Sequence, residues 1–260
     1  MGLESLKKQL YQLQKIKVKN LIFTDDTFNI PLLRFKKICR MMIDEKFKFD
    51  WFSYFRCASA DKETFDLMME SGCKGVFLGI ESGDEQVLKN MNKGVKPEQY
   101  LRGIQELNKR GIATFASFVV GFPGETSLSV ENTINLIKEA KPTFFNPKLY
   151  YHYQHSPVHM KAKEFGLAGR GYSWKHHTMN WREALDMQNL MLESVKESAY
   201  APTRSFDFWS FPYLLGQGFS YKHFSEFLNA SKSLMLKSFM NERSDTSAEE
   251  INLHSVASAW

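Results

Sequence analysis

The sequence predicts an α/β fold: a partial (β/α) barrel that lacks its first strand and carries a mostly helical C-terminal extension. Three observations predict it. Short apolar, β-rich runs alternate with helical patterns, which is the order of parallel strands joined by right-handed crossovers. The runs are apolar along their length, as in strands buried on both faces. No glycine-rich phosphate loop follows the first run, so a barrel fits better than an open nucleotide-binding sheet.

Five runs are the predicted strands, and a helical stripe follows each of the first four. Tyr100, Ile104 and Leu107 form one such stripe. It starts near Pro97, since proline is favoured at the first helical position, and it stops at Gly111. The predicted strands are residues 20–23, 49–55, 76–80, 114–120 and 144–153.

The chain opens with a helix rather than a strand. Leu6, Leu10, Leu13 and Ile16 repeat at helical spacing. In a strand–helix repeat this helix would follow a strand, so we expect that strand to be missing. We expect three segments: a truncated barrel at 1–158, a helical extension at 159–241 and a flexible, polar tail at 242–260.

Composition excludes several classes of protein. The 260 residues suit one barrel domain, and a net charge of +5 without a Lys/Arg-rich run gives no reason to expect nucleic acid. No signal-peptide core and no run of about 18 apolar residues is present, so we expect a cytoplasmic protein without membrane contact. The plentiful aromatic residues suit a cavity lined with ring faces.

The three cysteines, Cys39, Cys57 and Cys73, lie far apart and form no CxxC spacing. We therefore expect buried structural thiols rather than metal ligands, because cysteine packs as a small apolar residue.

The chemistry of a parallel α/β barrel lies at the C-terminal ends of its strands. Asp25 and Asp26 follow the first predicted strand, and either hold a cation or an amine or form a strand end and helix cap. Adjacent side chains on a strand point to opposite faces, so one of the two carboxylates is expected at the mouth. Arg56 follows the second strand, where it either grips a carboxylate or phosphate or pairs with a neighbouring loop.

The third and fourth strands end in longer motifs. Glu81 and Ser82 lie in GIESG, where the carboxylate can accept two hydrogen bonds from a ribose diol or an amine. GFPGET follows the fourth strand, and it either brings flexible backbone close to a flat ligand or is an ordinary Pro-Gly turn with a helix cap. Its residues are Gly121, Phe122, Pro123, Gly124, Glu125 and Thr126.

The fifth run leads into a segment rich in histidine. His152, His155 and His159 follow it, and His176 and His177 come later. They are either metal ligands or hydrogen-bonded pocket residues, and we predict no metal among them. A metal-dependent barrel hydrolase or lyase, using His152, His155 and Asp25, remains an alternative.

Taken together, these motifs resemble the radical S-adenosylmethionine (SAM) superfamily. The likeness covers about residues 18–155: DDTF at 25–28, Arg56, GIESGDEQVLKNMNKG at 79–94 and GFPGET at 121–126. It is nearest to the branch with cobalamin-dependent methyltransferases and methylthiotransferases. The last two motifs, found in this order, are specific to the superfamily as a pair, whereas either motif alone would be weak evidence.

The resemblance implies an enzyme and assigns roles. Glu81 and Ser82 would contact the methionine or ribose part of SAM, and Arg56 would lie near its carboxylate. Residues 121–126 would cradle the adenosyl group, and Asp25 and Asp26 would lie by the cofactor or substrate. In such enzymes a [4Fe–4S] cluster reduces SAM to a 5′-deoxyadenosyl radical, and cobalamin serves some of them in methyl transfer to an unactivated carbon or phosphorus centre.

A finer likeness lies in YSWKHHTMNWREA at 172–184 and SFDFWSFPYLLGQG at 205–218, which resemble radical SAM P-methyltransferases. In those proteins a cobalamin domain stands N-terminal to the core. Aromatic and histidine side chains of this region either close the barrel mouth over a substrate or pack as a helical extension. They are Trp174, His176, His177, Trp181, Phe206, Trp209 and Tyr213.

The sequence departs from the family in one respect. The family's CxxxCxxC loop, which binds the cluster, is absent together with the strand before it. We therefore expect a fragment, an alternative start or one product of a split gene. Two function classes follow: a radical SAM core for a small-molecule substrate, or a non-catalytic module that complements a separate cluster-bearing chain.

Overall fold

A computed structural model describes residues 2–202 and 208–239, and it confirms the α/β fold. Six parallel strands form one sheet in the order β1-β2-β3-β4-β5-β8, so the first five lie side by side in chain order. In the described part of the chain, β1 and β8 each have one neighbour, and the sheet is an open, partial barrel. The strands are β1 (Asn20–Phe23), β2 (Asp50–Tyr54), β3 (Cys73–Glu81), β4 (Ala113–Val120), β5 (Phe144–Leu149) and β8 (Ala199–Tyr200).

Helices cover both faces of the sheet. We call the face beneath α9 and α10 the inner face, and the face covered by α1 to α6 and α8 the outer face. Trp51, fully buried on β2, packs in the core of the outer face, whereas its neighbour Phe52 packs in that of the inner face. The helices are α1 (Leu3–Lys15), α2 (Leu32–Asp44), α3 (Lys62–Glu70), α4 (Glu85–Asn90), α5 (Pro97–Lys109), α6 (Ser127–Ala140), α7 (Ala162–Phe165), α8 (Trp181–Ser194), α9 (Ser210–Gly216) and α10 (Tyr221–Phe239).

The helix boundaries follow from local signals. The side chain of Asp61 accepts a hydrogen bond from the Thr64 backbone N–H at 2.9 Å and caps α3. Pro97 is the first residue of α5, as predicted. Gly72 follows α3 with φ +94°, and a Cβ there would lie 2.2 Å from the Phe49 carbonyl oxygen, so only glycine fits this turn into β3.

The predicted strands are all present: the first has the predicted ends, and the other four have shifted ends. The fifth stops at Leu149 rather than at residue 153, because the chain turns out of the sheet at Tyr150. There the Tyr150 N–H donates to the Val120 carbonyl at 2.8 Å, and the Trp174 indole N–H donates to the Tyr150 carbonyl at 2.8 Å. The third strand is longer than predicted at both ends.

The C-terminal part is mostly helical, and it also contains strands. β6 (Ala168–Arg170) and β7 (Ser173–Lys175) form a small antiparallel hairpin. β8 joins the main sheet beside β5, with Phe144 opposite Ala199. The predicted tail at 242–260 and the side chain of Phe206 lie outside the described residues.

All three cysteines are buried, as predicted. Cys39, Cys57 and Cys73 are exposed by 0%, 1% and 4%. Burial raises the pKa of the Cys39 and Cys57 thiols to about 12, because a thiolate would lose its hydration. Within residues 2–202 and 208–239, none of the helices has the length and apolar character that a membrane span requires.

Candidate functional site

Two cavities adjoin at the C-terminal ends of the strands. The smaller, of about 210 Å³, is lined by Asp26 and Arg56 among others, and the larger, of about 950 Å³, extends over β5 towards Tyr172. Glu81 and Lys93 line both cavities. The larger volume is in the range of ligand pockets, which run from about 300 to 1,000 Å³.

Glu81 stands at the junction of the two cavities because β3 is irregular there. The register with β4 shifts between Gly79 and Glu81, and Glu81 has φ +72°. Such a left-handed conformation costs on the order of 1–3 kcal/mol in a non-glycine residue. The Lys93 ammonium holds the carboxylate at 3.1 Å and also donates to the Gly79 carbonyl at 3.3 Å. A Cβ at position 79 would lie 2.8 Å from the Glu81 Oε1 atom, so a larger residue there would displace the end of the Glu81 side chain.

Arg56 is held in place through its backbone. Asn29, fully buried, donates from Nδ2 to the Arg56 carbonyl at 3.0 Å and accepts from the Arg56 N–H at 2.9 Å. The loop after β1 is thereby fixed to the loop after β2. The Arg56 guanidinium has no ion-pair partner within residues 2–202 and 208–239, and it lines the smaller cavity beside Asp26. Asp25 is exposed and does not line that cavity.

Ser82 faces away from both cavities. Its side chain is fully buried, with the hydroxyl 3.3 Å from that of Thr133 on α6. The same hydroxyl accepts from the Asp84 N–H at 3.1 Å. It therefore stabilises the turn after β3, and the structure does not bring it together with Glu81 at the cavity.

The GFPGET loop is stabilised by a hydrogen bond between two of its own residues. The Glu125 carboxylate is 1% exposed and accepts a hydrogen bond from the Gly121 N–H. Burial raises the Glu125 pKa to about 8, because the charged form is poorly solvated. Thr126 caps α6 by accepting from the Ser129 N–H at 3.2 Å. Among the residues of this loop, Phe122 lines the larger cavity.

Aromatic rings form one wall of the larger cavity. Phe122 and Tyr150 meet edge to face, with ring centres 5.5 Å apart. Tyr151 and Tyr172 meet in the same way at 5.0 Å, and Tyr151 is 55% exposed, so their rings stand at the rim. Phe122 is one of the predicted site residues. The sequence did not predict the rest of this wall, because the hairpin that brings in Tyr172 is too short to give a pattern.

Three of the five candidate histidines, His152, His159 and His176, form side-chain hydrogen bonds. The His152 Nε2 lies 3.0 Å from the His159 Nδ1, and the His176 Nε2 lies 3.3 Å from the Gly121 carbonyl. His176 also stacks on Trp174, which packs over Gly121. In the described ranges, no three His, Cys, Asp or Glu side chains are gathered as a metal site. The group proposed for a metal-dependent hydrolase, His152 with His155 and Asp25, is not assembled.

The chain belongs to the radical SAM superfamily, whose family model matches residues 1–137. This is a superfamily of enzymes, so the expected family and the expected enzyme class are confirmed. An uncharacterized methyltransferase of Pyrococcus horikoshii is 32% identical over 122 residues, which are 47% of this chain and 27% of that protein. A tRNA-2-methylthio-N(6)-dimethylallyladenosine synthase of Ehrlichia canis is 43% identical over 68 residues, which are 25% of this chain and 15% of that one.

Solved structures agree in fold. The radical SAM methyltransferase TsrM of Kitasatospora setae, solved with cobalamin and a [4Fe–4S] cluster, superimposes with a TM-score of 0.57 at 21% identity. The superposition covers 63% of this chain and 34% of TsrM. The match thus spans about a quarter of the length of the methyltransferase relative and about a third of the length of TsrM.

The cysteines do not fit a [4Fe–4S] cluster. Such a cluster in this family needs three thiolates on one loop. Here the three thiols are buried in the core, and the Cys57 sulfur packs against Gly103, where an added Cβ would lie 2.8 Å away. The sequence contains no other cysteine.

Proposed function

We propose that this chain binds S-adenosylmethionine at the C-terminal edge of its sheet and forms the core of a radical SAM methyltransferase. The reaction would be methyl transfer to an unactivated carbon or phosphorus centre of a small molecule, with cobalamin. The relative named as a methyltransferase and the fold of TsrM support the reaction class. A cytoplasmic location and the likeness of residues 172–218 to P-methyltransferases belong to the same proposal.

The order of groups along the two cavities carries the proposal. Arg56 lies in the smaller cavity, Glu81 on the shared wall, and Phe122 with Tyr150 in the larger cavity. SAM presents a carboxylate, a ribose diol and an adenine in the same order. A guanidinium grips a carboxylate through two parallel N–H groups, a carboxylate accepts from a diol, and rings pack on a flat base.

Each residue then has a task in binding. Arg56 neutralises the amino-acid carboxylate, and Asp26 beside it faces the ammonium. Lys93 holds the Glu81 carboxylate at the wall, so that its free lone pairs point to the ribose. Residues 121–126 act through the position of Phe122, since the Glu125 carboxylate is engaged inside its own loop.

Titration of SAM into the protein by calorimetry tests the proposal. The Glu81→Gln variant loses charge-assisted hydrogen bonds worth about 1.5–3 kcal/mol, so its affinity for SAM is expected to fall by about 10- to 100-fold. The control is Glu139→Gln, since Glu139 is exposed near the C-terminal end of α6 and lines neither cavity. Equal affinity of the wild type and Glu81→Gln would refute the assignment.

The second candidate is a module that complements a separate cluster-bearing chain, and the burial of every cysteine favours it. On this view the cluster ligands and the cobalamin site come from outside the 260 residues. Incubation of the chain alone with iron, sulfide and reductant under anaerobic conditions is then expected to give no 5′-deoxyadenosine. Product at a stoichiometric level would contradict this view.

A further inference from the structure

A row of four rings crosses the inner face of the sheet. Tyr54, Phe77, Phe115 and Phe144 lie on four adjacent strands and are paired in register. The Tyr54 and Phe77 ring centres are 5.1 Å apart, and those of Phe115 and Phe144 are 4.7 Å apart. Each strand of β2 to β5 therefore contributes one ring at the same level.

Phe208 closes this row from the opposite side. Its ring centre lies 5.8 Å from that of Phe77 and 5.1 Å from that of Phe115. The rings still leave a cavity of about 180 Å³, which we call the ring chamber. An apolar cavity of about 150 Å³ is enough to hold benzene, so the ring chamber has room for one six-membered ring.

The ring chamber opens towards the C-terminal edge of the sheet. At the next level of the same face, Gly79 pairs with Ser117, and Ser117 pairs with Asn146, so β3 to β5 place no ring above the row. Asn146 and Lys148 line both the ring chamber and the cavity of about 950 Å³. A ligand can therefore extend from one cavity into the other.

Lys148 stands at this passage without a counter-ion. Its ammonium lies 5.8 Å from the centre of the Phe77 ring, and it takes part in no salt bridge across residues 2–202 and 208–239. Charged groups with reduced access to water are normally paired, because desolvation of a lone charge is costly. An anionic group of a ligand would supply the missing partner and a charge-assisted hydrogen bond.

We propose that the inner face binds a substrate with an apolar ring of about benzene size, seated in the ring chamber, and a carboxylate or phosphorus oxyanion a few bonds away, held by Lys148. The inference depends on the proposed function in one respect: the ligand is called a substrate because the chain is proposed to be an enzyme core. Neither the row of rings nor Lys148 takes part in the SAM assignment above, so the two can fail separately.

Calorimetric titration with four probes tests it: 3-phenylpropionate, 2-phenylethylphosphonate, the neutral 3-phenyl-1-propanol, and propionate, which has no ring. The wild type is expected to bind the first two at least about tenfold more tightly than the alcohol, as one charge-assisted hydrogen bond implies. It is also expected to bind them more tightly than propionate, because only their rings are buried in the ring chamber. Of the two ring-bearing anions, the one that binds more tightly identifies the preferred head group. If neither ring-bearing anion binds, the inference is overturned.

The variants separate the contribution of the anionic head group to the affinity from the contribution of the ring. Lys148→Met is expected to lose about 10- to 100-fold in affinity for the anions and nothing for the alcohol. The control, Lys89→Met, changes an exposed lysine of α4 and leaves all affinities unchanged. Ala201→Leu, which fills the ring chamber, should weaken every ring-bearing probe. Circular dichroism verifies that each variant is folded.

Titration of SAM into the same samples distinguishes the two failures. If SAM does not bind but Lys148→Met loses the anions, the proposed function fails and the ring-and-anion site stands. If SAM binds and Lys148→Met binds the anions as tightly as the wild type, the ring-and-anion site alone is refuted.

Discussion

Replacement of Glu125 by glutamine is expected to change how stability depends on pH. The carboxyl is 1% exposed, and its pKa is raised from 4.5 to about 8. In the unfolded chain the group ionises near 4.5, so between pH 4.5 and 8 the folded chain binds more protons, and the free energy of unfolding falls as pH rises. Over about 3.5 units at about 1.4 kcal/mol each, the loss reaches about 5 kcal/mol at most.

Glutamine keeps the shape of the side chain and can still accept from the Gly121 N–H, but it does not titrate. Urea unfolding at pH 5, 6, 7 and 8, followed by circular dichroism, gives the difference in unfolding free energy between Glu125→Gln and the wild type. Other groups, such as His176, contribute to both proteins and cancel. The difference should grow in favour of the variant by about 1.4 kcal/mol per pH unit. A flat difference would show that the buried carboxyl ionises near its ordinary value.

Two further predictions concern the same loop and the core. Gly121→Ala places a Cβ 2.3 Å from the Trp174 ring at φ +88°, so it should cost about 2–5 kcal/mol in urea unfolding. The control is Gly94→Ala, at φ +61° with no atom within 4 Å of the added Cβ, which should lose only about 1–2 kcal/mol of unfolding free energy, the amount that a left-handed backbone costs a non-glycine residue. Equal losses of unfolding free energy in the two variants would show that the contact with Trp174 is unimportant. The three cysteines should not react with a disulfide reagent until urea unfolds the chain, since burial keeps their thiols protonated. Rapid reaction of any of them in the folded protein would contradict their burial.

β2 to β5 could be predicted because these strands carry buried residues along their length. Val76, Leu78 and Ile80 pack in the outer core, while Gly75 and Phe77 face inwards, so β3 reads as one apolar run. β6, β7 and β8 could not be predicted, since two or three residues carry no period, and their pairing depends on contacts distant in the chain.

The location of the site could be predicted more readily than the direction of its side chains. The rule that chemistry lies at strand ends placed Arg56 and Glu81 at one edge of the sheet. It did not distinguish them from Ser82 and Glu125, which bond within their own turns. That difference arises from the bulge in β3 and from packing against α6, neither of which has a local signature.

Lys148 and the row of rings could not be predicted from the sequence for another reason. In a strand buried on both faces, alternation does not reveal which residues face the substrate side. Only the register of four strands shows that Tyr54, Phe77, Phe115 and Phe144 share a level.

A crystal structure of the chain grown with S-adenosylmethionine tests the central claim most directly. We expect density across the two cavities, with the ligand's carboxylate at Arg56, its ribose hydroxyls within hydrogen-bonding distance of Glu81, and its adenine against Phe122. Density for the ligand elsewhere on the protein, or in the reverse orientation with the adenine at Arg56, would contradict the proposed SAM site.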